Sequence, residues 1–578
     1  MKLSLLYAIP LTFLAAITLQ GQSFTKISNP TNPINTAAMN GFYRGAAWVD
    51  FDADGDLDLS TLPYLFRNEG NDNFTRIQVG QVSDGIGSVS WGDVDRDGDV
   101  DCLYGTTNRG TFLLLNQGNG QFNTIALDAG NATKCWSASL GEFNNDGNLD
   151  AILTVPAGFG GLTSSNFFYI GTGNGAFSRI DTFDFVQIIA PFTVSYWTDF
   201  DNDGDSDLFI ASGPAGSGAP DYNYRNMLSE TGTAGLQRIQ DLPFGTENQD
   251  GQCYNFIDYD LDGDLDLFIT NYSGVANHFY RNDNGLYNPV NNQLTFQNGN
   301  LGNAWGDFDN DGDEDVVITS DVLAAAGYYR NNGNGTFTKS GTLFSDFSGN
   351  VSGSTIGDYD GDGDLDLFAL GGTQQGISGR GLYKNNLSNS NHWLQIDLTG
   401  VNSNTTGIGA VVWLTAQIQG STRKLRREVS AQNTFMGHNA QRLHFGLGGA
   451  NSIDQLEIAW PSGLRETFDL GTALDTLVHL TEGQGTAVVS GTVRLSETGR
   501  IGLFPNPAGD YLHWTVGESA NIHFEALQLS DLSGKTLLTR SGVEGSTGII
   551  DLSGLPGGQY QLTLLSKHRR WVGKFQRL

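Results

Sequence analysis

The nine residues from Asp307 to Asp315, Asp-Phe-Asp-Asn-Asp-Gly-Asp-Glu-Asp, place carboxylates at positions 1, 3, 5 and 9 and glycine at position 6. Acids at that spacing supply negative oxygens from one short loop, and Gly312 permits the sharp reversal that aims them inward. Left to themselves these charges would repel one another, so the chemistry on offer is capture of a hard, oxygen-seeking divalent cation. The phrase occurs seven times. Its ligand sets are Asp50, Asp52, Asp54 and Asp58; Asp93, Asp95, Asp97 and Asp101; Glu142, Asn144, Asp146 and Asp150; Asp199, Asp201, Asp203 and Asp207; Asp258, Asp260, Asp262 and Asp266; Asp307, Asp309, Asp311 and Asp315; Asp358, Asp360, Asp362 and Asp366. The third set carries fewest charges, which predicts the weakest site, although Asn144 is still an oxygen ligand.

An EF-hand competes for this reading, but it needs a bidentate Glu at loop position 12 and flanking helices. Position 12 here is Thr61, Tyr104, Leu153, Ile210, Ile269, Ile318 or Ala369, none of them acidic. Each loop runs instead into an apolar stretch such as Leu267-Phe-Ile-Thr270, so the loops join β-strands. Further on comes an aromatic-Asn-Gly-Phe phrase, clearest at Tyr328 to Phe337, whose Asn-Gly steps predict type I′ hairpin turns. The unit is therefore strand, calcium loop, strand, connection, strand, turn, strand. It recurs about every 50 residues, the period of a propeller blade.

Seven such units predict an all-β chain that begins with a seven-bladed β-propeller. The seventh unit lacks a fourth strand after Tyr383-Lys-Asn-Asn386, and Ser23-Phe-Thr-Lys-Ile27 is the missing copy, expected to close the ring and remove its open edge. Strand direction alternates, so calcium loops and Asn-Gly turns share one face. The opposite face collects the variable connections 156–166, 212–223, 271–277, 320–327 and 371–381. Aromatic residues there, Phe159, Tyr222 and Tyr272, mark that face as the place for a ligand. Residues 227–250 read as a long irregular segment.

The bulk numbers agree. A chain of 578 residues with 77 glycines suits several turn-rich β-domains, and more than half of its 63 acids lie in the seven loops. The net charge of −32 is thus mostly a metal signature, and it excludes nucleic acid as a partner. Residues 1–22 read as a secretory signal, and no later stretch is long and apolar enough to span a bilayer, so no transmembrane segment is expected in the mature chain. Cys102, Cys135 and Cys253 read as core residues, with one Cys102–Cys135 bridge conceivable. Of eight histidines only His278 lies in the propeller, where it reads as a loop residue. There is no H-E-x-x-H, P-loop or nucleophile elbow, so no catalytic residue is assigned.

On these repeats residues 23–390 resemble the FG-GAP/VCBS repeats of integrin α-subunit propellers, which implies calcium, up to seven ions. Residues 391–483, with Asn-His-Trp-Leu (391–394), Thr-Gly-Ile-Gly-Ala-Val-Val (406–412), Leu-His-Phe-Gly-Leu-Gly (443–448) and Ile-Asp-Gln-Leu-Glu-Ile-Ala-Trp-Pro-Ser-Gly (453–463), resemble the ASPIC/UnbV domain of the cartilage-acidic-protein family, a small β-domain. Asn404-Thr-Thr-Gly407 departs from that family, which carries a basic residue there. The basic run Arg423-Lys-Leu-Arg-Arg427 reads as a solvated strand face or an anion-binding strip. After a linker at 484–498, residues 499–578 form a β-sandwich. Its phrases Leu503-Phe-Pro-Asn-Pro507, Leu532-Ser-Gly-Lys535 and Leu555-Pro-Gly-Gly-Gln-Tyr560 resemble the type A C-terminal sorting domain read by the type IX secretion machinery. The resemblance implies export to the medium or outer surface of a Gram-negative bacterium. The expected function is non-enzymatic binding or adhesion to a glycan or protein. The alternative is a secreted, calcium-dependent polysaccharide-degrading enzyme, a lyase or glycosidase, with its site opposite the calcium loops.

Overall fold

The computed structural model describes residues 23–578 apart from 38–42, 80–86, 119, 128–133, 159–162, 214–218, 341–342, 346, 348, 375–376, 488–497, 517–522, 532–534 and 567–569. The expected signal segment, most of the expected linker, Phe159 and Leu532 to Gly534 lie outside the described residues.

Apolar runs on either side of each acidic loop form strands that pair in chain order. Unit six shows the pattern: Asn300–Gly306, Asp315–Ser320, Gly327–Asn331 and Phe337–Ser340 make one antiparallel sheet, and every residue of its first two strands is buried. Burial on both faces explains why these strands read as continuous apolar runs rather than alternating ones. Among the described residues there are seven four-stranded sheets of this kind. Their first strands, Ala47–Val49, Gly87–Gly92, Ser137–Gly141, Phe192–Thr198, Gly251–Ile257, Asn300–Gly306 and Gly353–Gly357, each touch the next, and the last touches the first. The succession is propeller-like and closes on itself.

Closure uses the segment expected for it. Ser23–Lys26 pairs antiparallel with 383–386, matching Ser23 to Asn386 and Lys26 to Tyr383. Phe24 packs edge-on against Phe308 and Tyr328 at 5.8 and 5.6 Å. Neighbouring sheets are held by aromatic contacts of this type: Trp305 of unit six meets Phe268 of unit five at 5.7 Å and Phe337 of its own outer strand at 5.8 Å. Each buried side chain of that size stabilises by about 1.5–3 kcal/mol.

Three expectations about local structure change. The two-residue Asn-Gly turn exists in unit five, where Asp283 pairs with Leu286 across Asn284 and Gly285, both at positive φ. In unit six the loop is longer: Asn332 N donates to Thr336 O, Gly333 and Gly335 take positive φ, and Asn331 and Asn334 side chains accept from Gly333 N and Thr336 N. A second glycine and two side-chain acceptors favour that wider turn. The irregular segment 227–250 contains a short helix, Leu228–Thr231, the fourth strand of unit four, Leu236–Arg238, and a 3₁₀ turn, Pro243–Gly245. The three cysteines are buried and free, and His278 opens the strand His278–Asp283 instead of lying in a loop.

Residues beyond the ring form a three-stranded sheet, with His392–Thr399 central, and a five-stranded sheet running from Ser421–Glu428 to Thr486–Ala487. The last strand pairs with Glu466 and Thr467, beyond the boundary expected at 483. Between the strands ending at Glu428 and starting at Leu443, the chain turns into the ring. Met436 O accepts from Val89 N at 3.0 Å, Asn433 O from Asn255 Nδ2 at 3.1 Å, and His438 O from Thr355 Oγ1 at 2.8 Å. Ala46 O accepts from His438 N, and Phe435 lies against Gly302. Phe435, Met436 and His438 are fully buried. Residues 429–440 thus touch the inner strands of units one, two, five, six and seven and fill the middle of the ring. Burial pushes the His438 imidazole down to about 4, so it stays neutral, and its Nε2 accepts from Trp91 N.

The C-terminal strands form a folded seven-stranded sheet. Thr498–Phe504 pairs through its first residues with 570–572 and through its last with 513–516, so it passes between two layers around Trp514, Phe524, Leu562 and Trp571.

Candidate functional site

Five of the seven acidic loops are wired the same way at their first position, and units two and three vary it. In unit six, Asp307 accepts from Asp311 N at 3.1 Å and from Gly312 N at 2.7 Å. Asp315, on the following strand, accepts from Asn331 N and Tyr328 OH, both at 2.6 Å. The first-position bonds repeat at Asp50, Asp199, Asp258 and Asp358, and the last-position acid accepts a backbone N–H of its own third strand in all seven units. Two residues per loop are left-handed. Glycine at position 6 has φ between +83° and +98°, as expected. Position 4 has φ between +55° and +71°, although it is Ala53, Arg96, Asn145, Asn202, Leu261, Asn310 or Gly361. A left-handed Ala or Leu costs roughly 1–2 kcal/mol, which a bound ion offsets when it draws the flanking oxygens together.

The expected ligands do converge. Ligand atoms of Asp50, Asp52 and Asp58 lie within 4.8 Å of one another, as do those of Asp93, Asp95 and Asp101, of Asp199, Asp201 and Asp203, and of Asp258, Asp260 and Asp262. The third-position acids hold buried oxygens without a hydrogen-bond donor: Oδ1 of Asp52, Asp95, Asp309 and Asp360. An all-oxygen set with orphaned buried carboxylate oxygens fits a hard cation of calcium's kind. Burial pushes Asp58, Asp101 and Asp150 up to about 8 and Asp203 and Asp266 up to about 9. Burial and neighbouring acids also raise Asp307, Asp315 and Asp366 well above the carboxylate range. In unit three Glu142 is fully buried, and Asp146 N donates to both Glu142 and Asn144.

Sequence reasoning missed the cations that face these acids. Arg330 lies 2.6 Å from Asp309, Arg225 lies 3.0 Å from Asp201, and Lys384 contacts Asp360 and Asp362. All three precede the asparagine whose N–H reaches the ninth-position acid, so the signal was an aromatic-Arg/Lys-Asn phrase.

The second domain sits directly on the acidic loops. Thr405 Oγ1 donates to Asp93 at 2.6 Å, Gln395 Nε2 to Asp358 at 2.8 Å, and Arg442 Nη2 to Gly55 O at 3.1 Å. Lys424 of the basic run is exposed, but Arg426 donates to Asp199 O and Asn202, and Arg427 lies 3.4 Å from Glu314. These residues clamp the domain to the ring because its strand Ser421–Glu428 passes over loops four and six. Thr405, within the stretch that departs from the family pattern, holds a metal-loop acid.

The opposite face keeps an opening of about 330 Å³. Its walls include Tyr43, Trp136, Tyr272, Asp250, Gln252 and Leu301. Tyr43 and Tyr272 both donate to Asp321, at 2.8 and 2.6 Å, and Tyr43 lies 5.8 Å from Trp136 and 6.2 Å from Phe435. Tyr272 was expected here. Tyr222 is elsewhere, stacked 3.6 Å under Arg238. Tyr43 and Trp136 were missed because each stands just before a first strand, outside the connections. His278 Nδ1 meets Tyr280 OH at 2.8 Å, and Tyr280 donates to Glu247 at 2.6 Å, away from the opening.

Three family models match: the FG-GAP-like repeat at 93–153, 258–318 and 307–369, ASPIC and UnbV at 400–487, and the secretion system C-terminal sorting domain at 502–576. No curated protein matches the chain. Among solved structures, BBS1N in complex with ARL6DN is similar at 10% identity and a TM-score of 0.39, covering 64% of this chain and 98% of that one. The Photorhabdus luminescens Tc holotoxin pore is similar at 11% identity and a TM-score of 0.29, covering 89% of this chain and 26% of that one. Likeness at these scores adds nothing to the reading. The chain is a protein of FG-GAP-like repeats followed by an ASPIC and UnbV domain and a secretion system C-terminal sorting domain.

Proposed function

We propose that this secreted or cell-surface protein is a non-enzymatic glycan-binding protein. Its seven sheets act as seven blades spanning 23–390, its domains divide near 391, 484 and 499, and calcium in the acidic loops makes the ring rigid. Export runs through the type IX machinery of a Gram-negative bacterium. The observation that carries the reading is the contrast between faces: the acidic loops lie under the second domain, whereas the far face holds an aromatic-lined recess.

A recess of about 330 Å³ is at the small end of the range for small-molecule sites, roughly 300–1,000 Å³, and suits a sugar unit better than a protein surface. A protein partner needs about 800 Å² of complementary face per side. Aromatic walls take the apolar face of a sugar ring, while Gln252, Thr193 and the tyrosine hydroxyls offer hydrogen bonds. The loop acids, once metal-bound, are fully ionised and make poor general acids. A glycan array followed by turnover assays tests this reading: binding without depolymerisation, lost in Tyr272→Ala, supports it. Depolymerisation abolished by a substitution in the recess would mean an enzyme instead.

A further inference from the structure

We infer that the second domain seals calcium into loop six, so that this ion exchanges far more slowly than those of the other six loops, of which loop five is the most open. This rests on the calcium reading of the acidic loops and adds which ion is held and which residues hold it.

Ligand exposure sets loop six apart. In every other loop at least one side chain of the ligand set is exposed: Asp54, Asp97, Asp146, Asp201, the pair Asp260 and Asp262, and Asp362. In loop six none is. Asp307, Asp309 and Asp315 are buried, Asp311 is half-buried, and Asn310, Gly312, Asp313 and Glu314 are buried as well. The acids themselves do not account for this, because loops five and six carry Asp at the same positions 1, 3, 5, 7 and 9. What differs is the cover.

The strand Leu443–Gly448 of the second domain runs across loop six. His444 Nε2 meets Asn310 Oδ1 at 2.7 Å, and Gly448 N donates to Asn310 O at 2.8 Å. A side chain at Gly446 would stand 1.9 Å from Asp307 Oδ2, so glycine is what lets this backbone rest on the first-position acid. Ile418 lies against Gly312, and Gln419 Nε2 donates to Asp311 O at 3.0 Å. Asn389 and Asn391 both donate to Asp309 O, at 2.6 and 2.9 Å. Arg330 closes on Asp309 and Asp311 from the ring itself. At loop five, Leu261 packs against the core that the second domain shares, but Asp260 and Asp262 stay outside that contact, and a side chain at Gly263 would meet nothing within 4 Å.

A buried ion leaves only when its cover opens, and here the cover is anchored. Residues 429–440 of the same domain fill the ring, with Phe435, Met436 and His438 fully buried, so lifting the strand off loop six is a costly local opening. The ion must likewise enter loop six before the domain settles. Loop five then follows the surrounding calcium, while loop six keeps its ion when that calcium falls.

The test is isotope exchange. Full-length protein loaded with radioactive calcium is diluted into excess unlabelled calcium, which keeps the sites saturated, and retained label is counted against time. The expected result is one ion per molecule that stays on the order of a hundredfold longer than the rest. Asp309→Ala should remove that slow ion. Asp260→Ala should remove a fast one and leave the slow one. Gly446→Ala should turn slow exchange into fast. A single fast phase in the unaltered protein, a slow ion lost in Asp260→Ala, or one that survives Asp309→Ala or Gly446→Ala would overturn the seal. No bound label in the unaltered protein would overturn the calcium reading itself.

Discussion

The two faces of the ring are built on opposite rules. On the near face one phrase is repeated seven times, with the same two backbone bonds at position 1 in five of the units and the same buried acid at position 9 in all seven, and a second domain covers it. On the far face nothing repeats. Tyr43, Trp136, Asp250 and Tyr272 come from three different units and surround one opening. Repetition here marks fastening, and departure from repetition marks the place proposed for a ligand.

Ways to break this contrast follow from the energies on each face. The largest effect belongs to chelation: each site filled at a hundredfold excess over its Kd contributes about 2.7 kcal/mol. Several sites emptied together by EDTA should lower the calorimetric Tm by about 10 °C or more; an unchanged melting curve would remove calcium from the account. Next is the filling segment. Phe435→Ala should cost about 3–5 kcal/mol, as for other buried Phe truncations, read as a lower urea midpoint.

The pH dependence is of similar size and has a definite sign. Asp58, Asp101 and Asp266 have folded-state values of about 8 to 9, above the ordinary value of 3.8. The metal-free folded state therefore holds protons that the unfolded state has released, and stability is lost as pH rises from about 4 to about 9. In EDTA, Tm should fall across that window. With excess calcium the loops stay ionised, and the fall should disappear. The smallest effect on stability is expected from Tyr272→Ala, a half-buried wall residue: Tm should move by only a few degrees while glycan affinity drops at least tenfold.

Much of the near face was legible in the sequence because its chemistry is local. Nine consecutive residues from Asp307 to Asp315 carry the ligands, and Ser23 to Ile27 repeats a recognisable outer strand, so ring closure could be read as a missing copy. Position 4 of the loops was not legible, since Ala53, Arg96 and Leu261 share no residue type and their left-handed backbone is imposed by the acids around them. The segment 429–440 has no apolar period of its own. Phe435 and Met436 are buried by partners that lie between about 130 and about 390 positions away in the chain, among them Gly45, Val89 and Gly302. The recess escaped for the same reason: its walls are assembled across units, and although Pro156, Gly213 and Tyr272 lie in connections already singled out, Tyr43, Trp136 and Asp250 do not.

Hydrogen exchange on calcium-loaded protein, with and without the tightest-binding member of the glycan array, tests the division of labour most directly. Protection confined to 156–158, 191–193, 250–252 and 272, with the loop 307–315 unchanged, is the predicted result. Protection centred on the acidic loops or on 391–487, with the far face unaffected, would contradict it.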